Sequence, residues 1–128
     1  MKFVKPFLVA LAVIAITGAL AYALLDEPSV PASTFTTLDG KQIDIDDLRG
    51  KVVLVNFWAT SCPGCIKEMP DMIETYKQYK DRGFEIVAVA MRYDPPNYVV
   101  NFVKTRQLPF PVALDVDGAH ARDFGNVQ

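Results

Sequence analysis

The run Val52-Val53-Leu54-Val55-Asn56-Phe57 is the strongest constraint on how this 128-residue chain folds. It is almost wholly apolar and rich in β-branched side chains. That reads as a strand buried on both faces, as in a parallel sheet. The chain's only two cysteines follow at once, in Trp58-Ala59-Thr60-Ser61-Cys62-Pro63-Gly64-Cys65. Beyond them Ile66, Met69, Ile73 and Tyr76 recur at helical spacing. The pattern predicts a buried strand that delivers a Cys-x-x-Cys pair to the N-terminus of an amphipathic helix.

That placement has chemical consequences. The first turn of a helix leaves backbone N–H groups unpaired and carries partial positive charge. A thiolate there is stabilised, and in such motifs its pKa falls to about 3.5–7.5 from about 8.5. Cys62 is expected to be the exposed thiolate that attacks a partner's disulfide. Cys65, one turn in, is expected to be more buried and to resolve the mixed disulfide. Pro63 suits an early helical position because it has no N–H to lose. Gly64 leaves room for a partner chain. A purely structural disulfide is poorly motivated, since so short a loop gains little entropy from closure. A closed zinc site needs four ligands. The chain offers two cysteines and one histidine, His120. Neither metal nor cofactor is expected.

The length allows one small domain. The net charge is −2 and there is no basic stripe, so nucleic acid is not an expected partner. Residues 1–27 stand apart from the rest. Lys2 and Lys5 precede an uncharged run, Phe7–Leu25, and Asp26 and Glu27 follow it. As a helix the run reaches about 28 Å, close to the hydrocarbon thickness of a bilayer. Its length favours a single-pass anchor over a cleaved signal, although Ala19-Leu20-Ala21 and Ala21-Tyr22-Ala23 could both be cut. Cleavage would leave the domain soluble. In either case the basic end stays cytoplasmic and the domain is exported.

Residues 28–33 read as a linker and 34–128 as the folded domain. Phe35–Leu38 and Lys41–Ile43 form a hairpin around Asp39-Gly40. Asp44–Gly50 is a polar turn or short helix with Leu48 inward. The helix after the cysteines runs to about Lys80, with Pro70 as a kink inside it and Gly83 as its C-cap. Phe84–Ala90 is a second buried strand. Asp94 as cap and Pro95 as first residue start another helix, which carries Val99, Phe102 and Val103 on one face and ends near Gln107. A short extended segment follows Pro111. Asp117-Gly118 turns it into a last short helix bearing a solvent-facing His120. The alternation is that of an α/β fold with parallel strands.

Val55-Asn56-Phe57-Trp58-Ala59, Cys62-Pro63-Gly64-Cys65 and Glu68-Met69-Pro70 resemble the membrane-anchored TlpA/ResA-type thiol–disulfide oxidoreductases of the thioredoxin superfamily. Gly83–Val89 and Leu108–Asp115 match as well. The resemblance implies a thioredoxin-like fold and an extracytoplasmic reductase of protein disulfides at a bacterial inner membrane, facing the periplasm. It implies thiol substrates such as apocytochrome c, and electrons from a membrane carrier of the CcdA/DsbD type. It also implies that Glu68, three residues after the second cysteine, tunes the thiols. Asn56 stands where cytoplasmic thioredoxins carry a buried aspartate. Glu85 is a second carboxylate to watch, because it lies in an apolar strand. Trp58 either shields the cysteines or simply fills the core. The family continues past Gly125 into a cis-proline turn, two strands and a final helix. The expectation is therefore a thioredoxin-like fold lacking its C-terminal strand pair and last helix. Two other readings stay open. One is an inactive or binding-only product. The other is a peroxiredoxin-like peroxidase, for which Thr60 stands one residue out of register.

Overall fold

A computed structural model of the chain describes residues 4–25 and 30–128. Lys2 and the stretch 26–29, with Asp26, Glu27 and the start of the expected linker, lie outside the described residues. The chain divides into two compact units, with the division between Val30 and Pro31.

The first unit is the helix α1, Val4–Leu25. Its apolar side chains are exposed, Ile14 and Ile16 among them. Thr17 returns its hydroxyl to the helix's own backbone, donating to the Val13 carbonyl at 2.8 Å. The side chains described in α1 are those of Leu8 and of residues 10–23. Among the described residues no helix is long and apolar enough to cross a membrane.

The second unit begins with an antiparallel hairpin, β1 (Thr34–Thr36) and β2 (Gln42–Asp44), in which Phe35 faces Ile43. Gly40 makes the turn at φ +80°, a conformation glycine adopts without steric cost. A 3-10 turn, Ile45–Leu48, follows; Asp44 caps it by accepting from the Asp46 N–H at 2.9 Å, and Leu48 is buried. The remaining elements alternate: β3 (Val52–Trp58), α2 (Pro63–Tyr79), β4 (Phe84–Ala90), α3 (Pro96–Arg106), β5 (Val112–Leu114) and α4 (Ala119–Asp123). Strands β3, β4 and β5 form a parallel sheet in that order, with Val52 opposite Phe84 and Ala88 opposite Val112.

The two-residue period of a strand assigns each side chain to a face. Trp58, Ile86, Ala88 and Ala90 pack with Met69 of α2 and Val99 of α3. Val53, Val55, Phe57, Val87 and Val89 turn the other way, onto Phe35 of the hairpin, Leu48 and Phe124. The sheet is thus covered by α2 and α3 on one side and by the hairpin and the α4 end on the other.

Three expectations are corrected. The strand expected to be buried on both faces, β3, is an edge of the sheet among the described residues. Val52 and Leu54 are 71% and 41% exposed, and β4 is the central strand, buried from Ile86 to Ala90. Helix α3 starts one residue later than expected, with Pro95 as its cap and Pro96 first, so the Asp94 side chain does not cap it. His120 does not face solvent. It is half-buried, its Nδ1 lies 2.8 Å from the Ser33 hydroxyl, and its ring sits 4.6 Å from that of Phe35. Other expectations hold. Helix α2 continues through Pro70 to Tyr79, and Gly83 takes the left-handed conformation after it at φ +85°. Gln107 ends α3.

Candidate active site

The site forms where β3 stops and α2 starts. Cys62 is the N-cap of α2, with an extended backbone, and Pro63 takes the first helical position. The Cys62 sulfur accepts the Cys65 backbone N–H at 3.2 Å. This is the interaction a serine or aspartate oxygen makes in an ordinary N-cap. The first helical bond runs from the Ile66 N–H to the Cys62 carbonyl at 3.1 Å. Cys62 and Cys65 are joined as a disulfide, with Cα atoms 5.3 Å apart.

Both cysteines are half-buried, and their positions differ. Cys65 packs against the core cluster of Trp58 and Met69, while Cys62 heads the helix. A side chain at Gly64 would meet only open space. A partner can therefore approach the pair from that side.

The structure gathers some of the candidate residues at this end and leaves one elsewhere. Trp58 is 1% exposed and packs at 5.2 Å on the Phe102 ring. Its indole N–H is buried without a partner among the described residues, which costs about 1–3 kcal/mol. Asn56 is half-buried on the same face of β3 as Trp58, toward the cysteine helix. Glu68 is exposed on α2, one turn beyond Cys65. Pro70 is exposed and lines a cavity of about 150 Å³ with Ile66, Met69, Ile73 and Phe102. Glu85 lies at the opposite end of the sheet, opposite Val53, five residues before the strand end that carries the site.

One role at the site was not foreseen. Asp94, read from sequence as a helix cap, is 4% exposed and turns to the loop before the cysteines. Its carboxylate accepts both the Thr60 backbone N–H and the Thr60 hydroxyl, each at 2.6 Å. The sequence signal was a lone acid ahead of Pro95-Pro96. Nothing local says that its partner lies 34 residues back.

The redoxin family model matches residues 26–128. The thiol–disulfide oxidoreductase ResA of Bacillus thuringiensis subsp. konkukian is 45% identical over 96 residues, covering 74% of this chain and 54% of the relative. The chain spans about half the length of the curated relatives it matches. Among solved structures it superposes on a thiol:disulfide interchange protein of the thioredoxin family from Chlorobium tepidum. The TM-score is 0.68 and the identity 35%, with 80% of this chain and 71% of that one covered. A secreted Mycobacterium tuberculosis disulfide oxidoreductase homologous to E. coli DsbE aligns at TM-score 0.66 and 28% identity, covering 74% and 69%. A parallel α/β sheet, a Cys-x-x-Cys at the head of its first covering helix and a match running from residue 26 to 128 agree, and the chain belongs to the redoxin family.

Proposed function

We propose that the protein is a thiol–disulfide oxidoreductase that reduces protein disulfides. The observation that carries this reading is the Cys62 sulfur in the N-cap position, held by the Cys65 N–H. In the reduced protein the Cys62 thiolate attacks one sulfur of a partner's disulfide. The Cys62–partner bond forms, the partner's S–S bond breaks, and the departing thiolate takes a proton from solvent. The Cys65 thiolate then attacks the Cys62 sulfur. The second partner thiol leaves, and two electrons have passed from the protein to the partner. The oxidised pair seen here is the product of that half-reaction.

Glu68 is assigned a tuning role in the same reading. A carboxylate one turn from Cys65 opposes thiolate formation and can carry a proton to or from it. The substrates are disulfides of exported proteins, which the reaction returns to thiols, with oxidised apocytochrome c as one candidate. The electron source is a membrane thiol carrier of the CcdA/DsbD type. The domain works on the extracytoplasmic side, tethered by α1. The basic residues ahead of the apolar run and the acidic ones after it support that orientation. Likeness to ResA-type relatives supports the reaction class.

The test is a disulfide-reduction assay with alkylation mapping of the reduced protein. Wild type should reduce a model protein disulfide, Cys62→Ser should abolish this, and Cys62 should alkylate faster than Cys65. Faster labelling of Cys65 reverses the two roles. No turnover by the reduced wild type removes the reading.

A further inference from the structure

We propose that Asp94 is a positioning residue for the exchange step: it holds the loop Ala59–Ser61 so that Cys62 stays at the head of α2 while the disulfide is open. The inference rests on the oxidoreductase reading above. Asp94 is 4% exposed, and burying a carboxylate is costly unless its oxygens are hydrogen-bonded. Both oxygens go to one residue. Oδ2 accepts the Thr60 N–H and Oδ1 the Thr60 hydroxyl, each at 2.6 Å. Among the described residues no lysine, arginine or histidine pairs with it.

Thr60 lies inside the turn that the Cys62 N–H closes onto the Ala59 carbonyl at 3.1 Å. Asp94 stands in a second turn, at the end of β4, closed by its own N–H on the Met91 carbonyl at 2.9 Å. The Met91 N–H in turn donates to the Trp58 carbonyl at 2.9 Å. The carboxylate therefore bridges the ends of two adjacent strands and grips the loop two residues ahead of the nucleophile. Pro95 and Pro96 behind it restrict the backbone on which it stands. A carboxylate whose task was to start α3 would face that helix, yet α3 has no side-chain cap.

The oxidation state decides when this grip matters. In the oxidised protein the Cys62–Cys65 bond itself fixes the loop to the helix. Once the bond is open, Cys62 keeps its N-cap position only if the loop keeps its course. Losing the grip therefore costs the reduced form more than the oxidised form. The thiolate is less stabilised, and the equilibrium shifts toward the disulfide.

Two curves on the full chain test this. One is the pH dependence of Cys62 alkylation. The other is a redox titration in which two glutathione thiols are oxidised as Cys62–Cys65 is reduced. In Asp94→Ala the alkylation midpoint should move to higher pH, the lost grip outweighing the lost negative charge, which by itself favours the thiolate. Thr60→Val tests the grip with no change of charge. The equilibrium constant for reduction should fall about tenfold, a potential about 30 mV more negative. Thr60→Val keeps the N–H bond and loses the hydroxyl bond, so it should move both curves the same way by less. Thr60→Ser should restore them. Asp115→Asn is the control for general loss of stability. That carboxylate is 1% exposed and accepts the His120 and Ala121 N–H groups, and its replacement should leave both curves in place. If Asp94→Ala does not fold, Thr60→Val decides. Superimposed curves for wild type and Thr60→Val, or an equal shift in Asp115→Asn, overturn the positioning role and leave the oxidoreductase reading intact. A wild type that does not titrate reversibly overturns that reading, and the inference with it.

Discussion

Glu85 sits in an apolar strand because β5 is short. The Ile86 N–H points toward the β5 side, but β5 begins opposite Ala88 and leaves it unpaired. The Glu85 Oε1 accepts that N–H at 3.1 Å, and Oε2 lies 4.0 Å from the Lys51 amine. The carboxylate thus completes the sheet at the end away from the cysteines. Burial, and then the Glu85 charge, push the Tyr76 phenol up to about 12. Its folded-state value lies above the ordinary 10, so the folded protein holds the proton more tightly than the unfolded chain. The associated stability is complete below pH 10 and is lost as pH rises toward 12. Tyrosinate absorbance should show a late-titrating residue that disappears in Tyr76→Phe and titrates earlier in Glu85→Gln; an unmoved titration in Glu85→Gln would separate the two groups. At the cysteine end, Glu68→Gln should shift the Cys62 and Cys65 titration while leaving the circular dichroism of the fold unchanged. An unaltered thiol titration would leave Glu68 as a solvated surface acid. The cysteine pair was legible in sequence because its chemistry lies within one helical turn. Asp94 and His120 were not, because each is defined by a partner from a distant part of the chain, Thr60 in one case and Ser33 in the other.

At the scale of elements, β3 carries an asymmetry that can be measured. The Val52 N–H donates to the Gly83 carbonyl, and the Trp58 carbonyl accepts from Met91. With a two-residue period, the N–H groups of Val52, Leu54, Asn56 and Trp58 point toward β4. Those of Val53, Val55 and Phe57 point to the other edge, which has no strand among the described residues. Hydrogen exchange should therefore be slow at Leu54 and Asn56 and fast at Val53 and Val55. Equal protection along the strand would mean that something covers that edge in solution. Helical spacing made α2 and α3 readable, apolar runs β3 and β4, and Asp-Gly turns the hairpin and α4, while Gly83 marked the stop after α2. The order of strands in the sheet was not readable. The apolar run of β3 has the composition of a central strand, and hydrophobicity alone does not say which neighbour lies on which side. The start of α3 slipped by one residue for a related reason. Asp-Pro-Pro offers two prolines able to occupy the first position, and nothing local chooses between them; Pro96 takes it, and Asp94 bonds Thr60 instead.

For the molecule as a whole, the proposed orientation predicts that a reporter fused after Gln128 is active only when it is of a kind that works outside the cytoplasm. Activity of a strictly cytoplasmic reporter there would reverse the topology. The parallel register described above also bears on how the chain reaches its fold. Val52 meets Phe84 and Ala88 meets Val112, partners about thirty and about two dozen residues apart, and among the described residues the only local strand pairing is the small β1–β2 hairpin. No two strands of the main sheet can zip from a tight turn, so each pairing must first close a long loop. Helix α2 fills most of the loop between β3 and β4, and its formation shortens the distance the chain has to search. The cysteines, by contrast, are near neighbours on the chain at the start of that helix. Their oxidation needs no sheet at all, so the disulfide can form in a chain that has not yet folded. The first turn of α2 is then staked out while the strands on either side of it are still searching for each other.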